Sequence, residues 1–121
     1  MTQQSRFAPE IENNPEWSSA VHRANAWVHE ALGRWAGGKV FEWAVRTGPR
    51  GEPLFDLCIS AEGGAAADRF DRFEIANESI IRNRVGKLWG DLLNQVTHTQ
   101  VEDLKRMRDE WKKEAAVGTQ D

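Results

Sequence analysis

The sequence predicts an α+β domain: an N-terminal amphipathic helix, a three-stranded antiparallel sheet, and one kinked or two C-terminal helices packed on one face of the sheet. Three observations carry this reading. Residues 39–60 alternate apolar and polar with a period of two, as half-buried strands do. Apolar residues before that stretch recur at helical spacing, and they do so again after it. The 121 residues suffice for one core.

Residues 1–13 are polar and contain Pro9, so they read as a flexible N-terminal arm. The single domain then spans 14–117. Asn14 caps a helix whose first position, Pro15, lacks the N–H that would be orphaned there. Trp17, Ala20, Val21, Ala24, Trp27, Val28, Ala31, Leu32 and Trp35 fall on one stripe, with Glu16, Arg23, Glu30 and Arg34 opposite. Gly37-Gly38 is the expected stop.

In the hairpin, Phe41, Trp43 and Val45 share a face, as do Phe55, Leu57 and Ile59. Pairing Val45 with Phe55, Trp43 with Leu57 and Phe41 with Ile59 buries all six in one register. Gly48-Pro49-Arg50-Gly51-Glu52-Pro53 connects the two strands, and 61–67 reads as a small-residue loop. The segment 68–75 reads as a third strand, with a helix as the alternative. The strand is preferred because Asn77-Glu78 looks like a fresh helix cap directly after it.

Ile81, Val85, Leu88, Trp89, Leu92 and Val96 give the next helix its stripe. Gly86 and Gly90 lie four apart beside that stripe, and each interior glycine costs ~1 kcal/mol relative to alanine. Close approach of a neighbouring helix or strand is one account of them, and a dimer contact is the other. Thr99 with Glu102 has the form of a capping box. A third helix to about Ala116, or a kinked continuation of the second, carries Val101, Leu104, Met107 and Trp111 as a narrow stripe. Residues 118–121 read as a disordered tail.

The composition narrows the chemistry. A net charge of −3 argues against a protein built mainly around phosphate contacts. The lone Cys58 permits no internal disulfide, the N-terminus lacks a signal-peptide core, and no apolar run approaches a membrane span, so a cytoplasmic location and no membrane partner are expected. His22 and His29, two turns apart, read as solvated surface residues, and His98 lies in the inter-helix break. Cys58, on the face opposite the aromatics beside Asp56 and Ser60, reads as small and inert. Asp68, Asp71 and Glu74 alternate with Arg69 and Arg72 as a self-paired surface. No glycine-rich phosphate loop, CxxC or HExxH is present. No catalytic, cofactor or metal residue is therefore nominated. The mixed charges of 102–114 read as a solvated face, while Arg82, Arg84 and Lys87 form the one small basic patch.

With its helix, three strands and helix, its Gly48-Pro49-Arg50-Gly51 hairpin loop, and Phe55 opening the following strand before Leu57 and Ile59, the chain resembles the double-stranded RNA-binding domain over residues 17–96. The resemblance implies recognition of duplex RNA by shape and phosphate contacts. It departs from the family where Gly51 replaces the histidine that reaches the minor groove. It departs again where Asn77-Glu78-Ser79-Ile80-Ile81 replaces the lysine cluster, leaving Arg82, Arg84 and Lys87 as the nucleic-acid contacts.

The leading expectation is a non-catalytic interaction module that binds a protein partner or itself through Leu104, Met107 and Trp111. A divergent RNA-binding domain is the alternative. A second alternative is a ligand-binding or enzymatic domain with a pocket between sheet and helices, using Asp56, Cys58 or a histidine.

Overall fold

The computed structural model describes the backbone of residues 4–120; the side chains of residues 4, 99–101, 103–104 and 111–120 lie outside the described residues. Element order is β1 (Gln4–Phe7), α1 (Pro9–Glu12), α2 (Pro15–Leu32), a 3₁₀ turn (Gly33–Ala36), β2 (Val40–Thr47), β3 (Pro53–Ala61), β4 (Gly64–Asp71), α3 (Arg72–Ile75) and α4 (Glu78–Gln120). The α+β class holds, but the sheet has four strands in the order β1-β2-β3-β4 and is mixed, because β1 runs parallel to β2.

The hairpin register is the one the alternation demanded: Phe41 opposite Ile59, Trp43 opposite Leu57, Val45 opposite Phe55. β4 adds Ala66 and Phe70 to the same face, opposite Ile59 and Phe55. Both long helices cover this face, Val21, Ala24 and Val28 from α2 and Ile81, Val85, Leu88 and Leu92 from α4 joining Phe41, Trp43 and Leu57 in one buried cluster. Truncating an aromatic such as Trp43 in a core of this kind costs ~3–5 kcal/mol. The opposite face carries Glu42, Ala44, Arg46, Asp56, Cys58, Ser60, Ala67 and Arg69. There the Asp56 carboxylate accepts from Arg46 Nε at 2.7 Å and Arg69 Nε at 2.8 Å.

Asn14 caps α2 as expected, its Oδ1 accepting from the amides of Glu16 and Trp17. The helix nevertheless ends earlier than the Gly37-Gly38 pair. Gly33 takes φ +57°, a left-handed value that glycine alone adopts without strain, and a 3₁₀ turn follows. That turn swings Trp35 off the stripe, leaving it 54% exposed and stacked on Trp89.

Further expectations are corrected. The N-terminal segment is not a loose arm from Gln4 onward: Ser5 and Phe7 pair with Phe41 and Trp43, and Ile11 is fully buried. Residues 1–3 lie outside the described residues. Residues 64–67 are strand rather than loop, the chain turning at Gly63 (φ +98°). The segment 68–75 is strand only to Asp71, where a capping box starts α3: Asp71 Oδ1 accepts from the Phe73 and Glu74 amides while Glu74 Oε1 accepts from the Asp71 amide. Phe70 therefore points into the core, and Phe73 is 72% exposed. Finally, the helix runs past the expected start of the tail at Gly118 to Gln120; of the two readings left open for the C-terminal helices the continuous one holds, α4 passing through Thr99 without a break, and Asp121 is outside the described residues.

Candidate functional site

α4 is the element with two different environments along its length. Its first half lies on the sheet and α2 through Ile81, Val85, Leu88, Trp89 and Leu92, all buried. From Thr97 to Glu110 every described side chain is exposed, including Met107 at 53%. Met107 is thus unburied in the monomer, while the side chains of Leu104 and Trp111 lie outside the described residues. At ~1.5 Å per residue, the part of α4 beyond Val96 extends roughly 35 Å.

Ser79, Asn83, Gly86, Gly90, Leu93 and Thr97 form a second row along α4, and all six are exposed. A Cβ placed on Gly86 or Gly90 meets no atom outside its own helix turn within 4 Å. Among the described residues, the close approach of a neighbouring element that would explain these glycines within the fold is absent. Leu93 in the same row is 46% exposed.

The small basic patch is largely committed to internal partners. Arg82 Nε donates to Glu78 and its Nη2 to Glu30, both at 2.7 Å, and the hydrogen bond to Glu78 heads the causes that raise its pKa. Arg84 is a structural hub. It donates to both carboxylate oxygens of Asp68, to Glu74 Oε2 at 2.6 Å and to the Arg69 carbonyl at 2.5 Å, and it stacks 4.4 Å over the Phe70 ring. Its pKa is raised first by the hydrogen bond it donates to Asp68, against an opposing desolvation. Lys87 is exposed. The acidic residues of 68–74, which alternation with arginine marked as self-paired, are thus the clamp on Arg84 and the cap on α3.

The histidines divide. His22 is exposed, its Nε2 2.9 Å from Glu12 and its ring stacked on Phe7. His29 is not the solvated residue expected. Its Nε2 lies 3.0 Å from Ser5 Oγ, its Nδ1 is buried without a partner, and burial lowers its pKa. Ser5 Oγ also accepts from Asn25 Nδ2, whose Oδ1 accepts from the Trp43 indole N–H. This chain ties β1 to α2 and β2. Serine and histidine so joined resemble half a catalytic triad, but Nδ1 faces no carboxylate to orient the ring.

Asp56 and Cys58 sit on the open sheet face rather than between sheet and helices, Cys58 Sγ 3.8 Å from Ser60 Oγ. Two open grooves flank the Trp17–Pro53 ridge, the larger, about 590 Å³, also lined by Phe55 and Phe73. Among the described residues, no group of three His, Cys, Asp or Glu side chains is placed to hold a metal ion, and no helix is long and apolar enough to cross a membrane. The exposure of Phe73 is hidden in the sequence because a strand over 68–75 runs straight through Asp71. Aspartate followed three residues later by Glu74 was the signal available for the cap.

No protein-family model, no curated protein and no solved structure matches the chain.

Proposed function

We propose that the protein is a non-catalytic interaction module that associates with itself through the half of α4 that leaves the sheet. One observation carries this: a helix continues well past its last core contact with every described side chain from Thr97 to Glu110 in water. Isolated helices draw little stability from propensity alone, and most helical stability comes from packing an apolar stripe. Leu104, Met107 and Trp111 supply such a stripe at heptad spacing. Static light scattering on a size-exclusion column tests the reading. A dimer at tens of micromolar that becomes monomeric in Leu104→Glu/Met107→Glu supports it, and a wild-type protein that is monomeric throughout refutes it.

Duplex RNA binding is the second reading. Its support is the run of α2, an antiparallel three-strand meander and α4, with both helices on one face, which is the arrangement the resemblance implied. Against it stand the carboxylates that hold Arg82 and Arg84. Fluorescence anisotropy with a duplex of about 30 base pairs, longer than the ~16 of a single such domain, discriminates. Salt-sensitive binding lost in Lys87→Glu favours RNA. Arg84 is unsuitable for that control because its loss would disturb the fold.

A further inference from the structure

The exposed row on the sheet-packed half of α4 does not stop at Thr97. Carried onward at the same spacing it runs Asn83, Gly86, Gly90, Leu93, Thr97, Gln100, Leu104, Met107 and Trp111, with gaps of three and four alternating throughout. This is a heptad seam, set roughly 130° round the helix from the buried stripe at ~100° per residue. Small residues occupy one end and large ones the other.

We infer that two copies pair antiparallel along this seam, with Gly86 and Gly90 of each forming the holes that receive Trp111 and Met107 of the other. This rests on the self-association proposed above and specifies its partner surface and direction. The register follows from size. Centred between His98 and Thr99, the pairing sets Gly86 against Trp111, Gly90 against Met107, Leu93 against Leu104 and Thr97 against Gln100. Each layer joins an a position to a d position, as antiparallel helices require. A parallel pairing would instead set glycine on glycine and tryptophan on tryptophan, leaving voids at one end and crowding at the other.

Three observations point to a second copy as the occupant. Every described member of the row is exposed, so no described residue covers it. Both glycines are costly in a helix interior, and no described residue packs close enough to require them. The area also suffices. A tryptophan buries ~150–250 Å² and a leucine or methionine about 60–120 Å², and Leu93 and Met107 are already about half covered, so burying Leu93, Leu104, Met107 and Trp111 of both copies removes roughly 550–1,000 Å² from water. Backbone at the glycine layers and flanking side chains add to that, which brings the pair to the roughly 1,000 Å² a specific interface needs. A seam of period 3.5 drifts on a straight helix, so the pair winds into a left-handed supercoil.

Single-cysteine proteins test the register. In a Cys58→Ser background, Leu93→Cys and Leu104→Cys are prepared separately and oxidised alone and mixed. Antiparallel pairing gives disulfide-linked dimer only in the mixture. Separately, Gly86→Leu/Gly90→Leu fills the holes; it should raise the dimer dissociation constant at least tenfold while the melting temperature of the monomer holds or rises. Cross-linking of either single variant with itself, no cross-link in a protein that scatters as a dimer, or undiminished dimerisation of the leucine variant overturns the register and leaves self-association standing. A wild-type protein monomeric at every concentration overturns both.

Discussion

Replacing Gly86 and Gly90 together by alanine should stabilise the folded monomer by about 2 kcal/mol, since an interior glycine costs ~1 kcal/mol relative to alanine. Ordinarily a steric penalty must be subtracted. Here a Cβ at either position meets no described neighbour within 4 Å, and neither glycine has a positive φ. Neither added methyl meets a described partner, and the two share none, so their effects should be nearly additive although the sites are one turn apart. Urea unfolding followed by circular dichroism measures the gain, with wild type and variant both carrying Leu104→Glu/Met107→Glu to hold them monomeric. With a slope of ~1–3 kcal/mol per molar urea, the midpoint should rise by about 1 M. An unchanged or lower midpoint would show that the fold itself needs glycine at these positions, and would remove the main argument for a partner helix there.

Arg84→Met should cost ~2–3 kcal/mol, because it strips charge-assisted bonds from Asp68 and Glu74 at the junction of β4, α3 and α4. Lys87→Glu, which breaks no ion pair shown for that residue, should fall within about 0.5 kcal/mol of wild type; denaturant midpoints compare them. Burial lowers the His29 pKa below its ordinary value. Its contribution is therefore fully present above about pH 6.5 and is lost as pH falls below it, where the unfolded chain takes up the proton first. Melting temperatures between pH 7.5 and 5.5 should decline more steeply for wild type than for His29→Gln, and equal slopes would refute the assignment. Asp71→Ala should destabilise by ~0.5–2 kcal/mol through loss of the α3 cap; a change below about 0.3 kcal/mol would mean the α3 turn does not depend on it.

The hairpin was legible because one register alone buries six large side chains, and alternation is a signal written entirely in local sequence. The same holds for Asn14-Pro15, where both capping chemistry and the missing proline N–H act within one turn. β1 was not legible. Ser5 and Phe7 are strand residues only because the β2 edge lies beside them, and no short-range pattern announces a parallel partner 36 positions away. Likewise the spacing of His22 and His29 revealed nothing of the difference between them, which Ser5 and Phe41 create from a distance. At the candidate site, sequence marked Leu104, Met107, Trp111 and the two glycines as separate features. That they share one row became visible only once α4 proved unbroken through Thr99, despite the capping-box pattern of Thr99 and Glu102 that argued for a fresh start.

β1 has a consequence for what the chain does before it is fully folded. β2, β3 and β4 form from adjacent hairpins, whereas β1 must close a long loop before it gains any contact, so it should dock last and open first. Whenever it is undocked, the amides and carbonyls of β2 stand unpaired along an aromatic-rich edge, a template on which another chain can add a strand. The hydrogen bonds from Trp43 through Asn25 to Ser5 hold that edge closed. A substitution as small as Ser5→Ala therefore bears on aggregation during synthesis and storage more than on the melting temperature of the finished molecule.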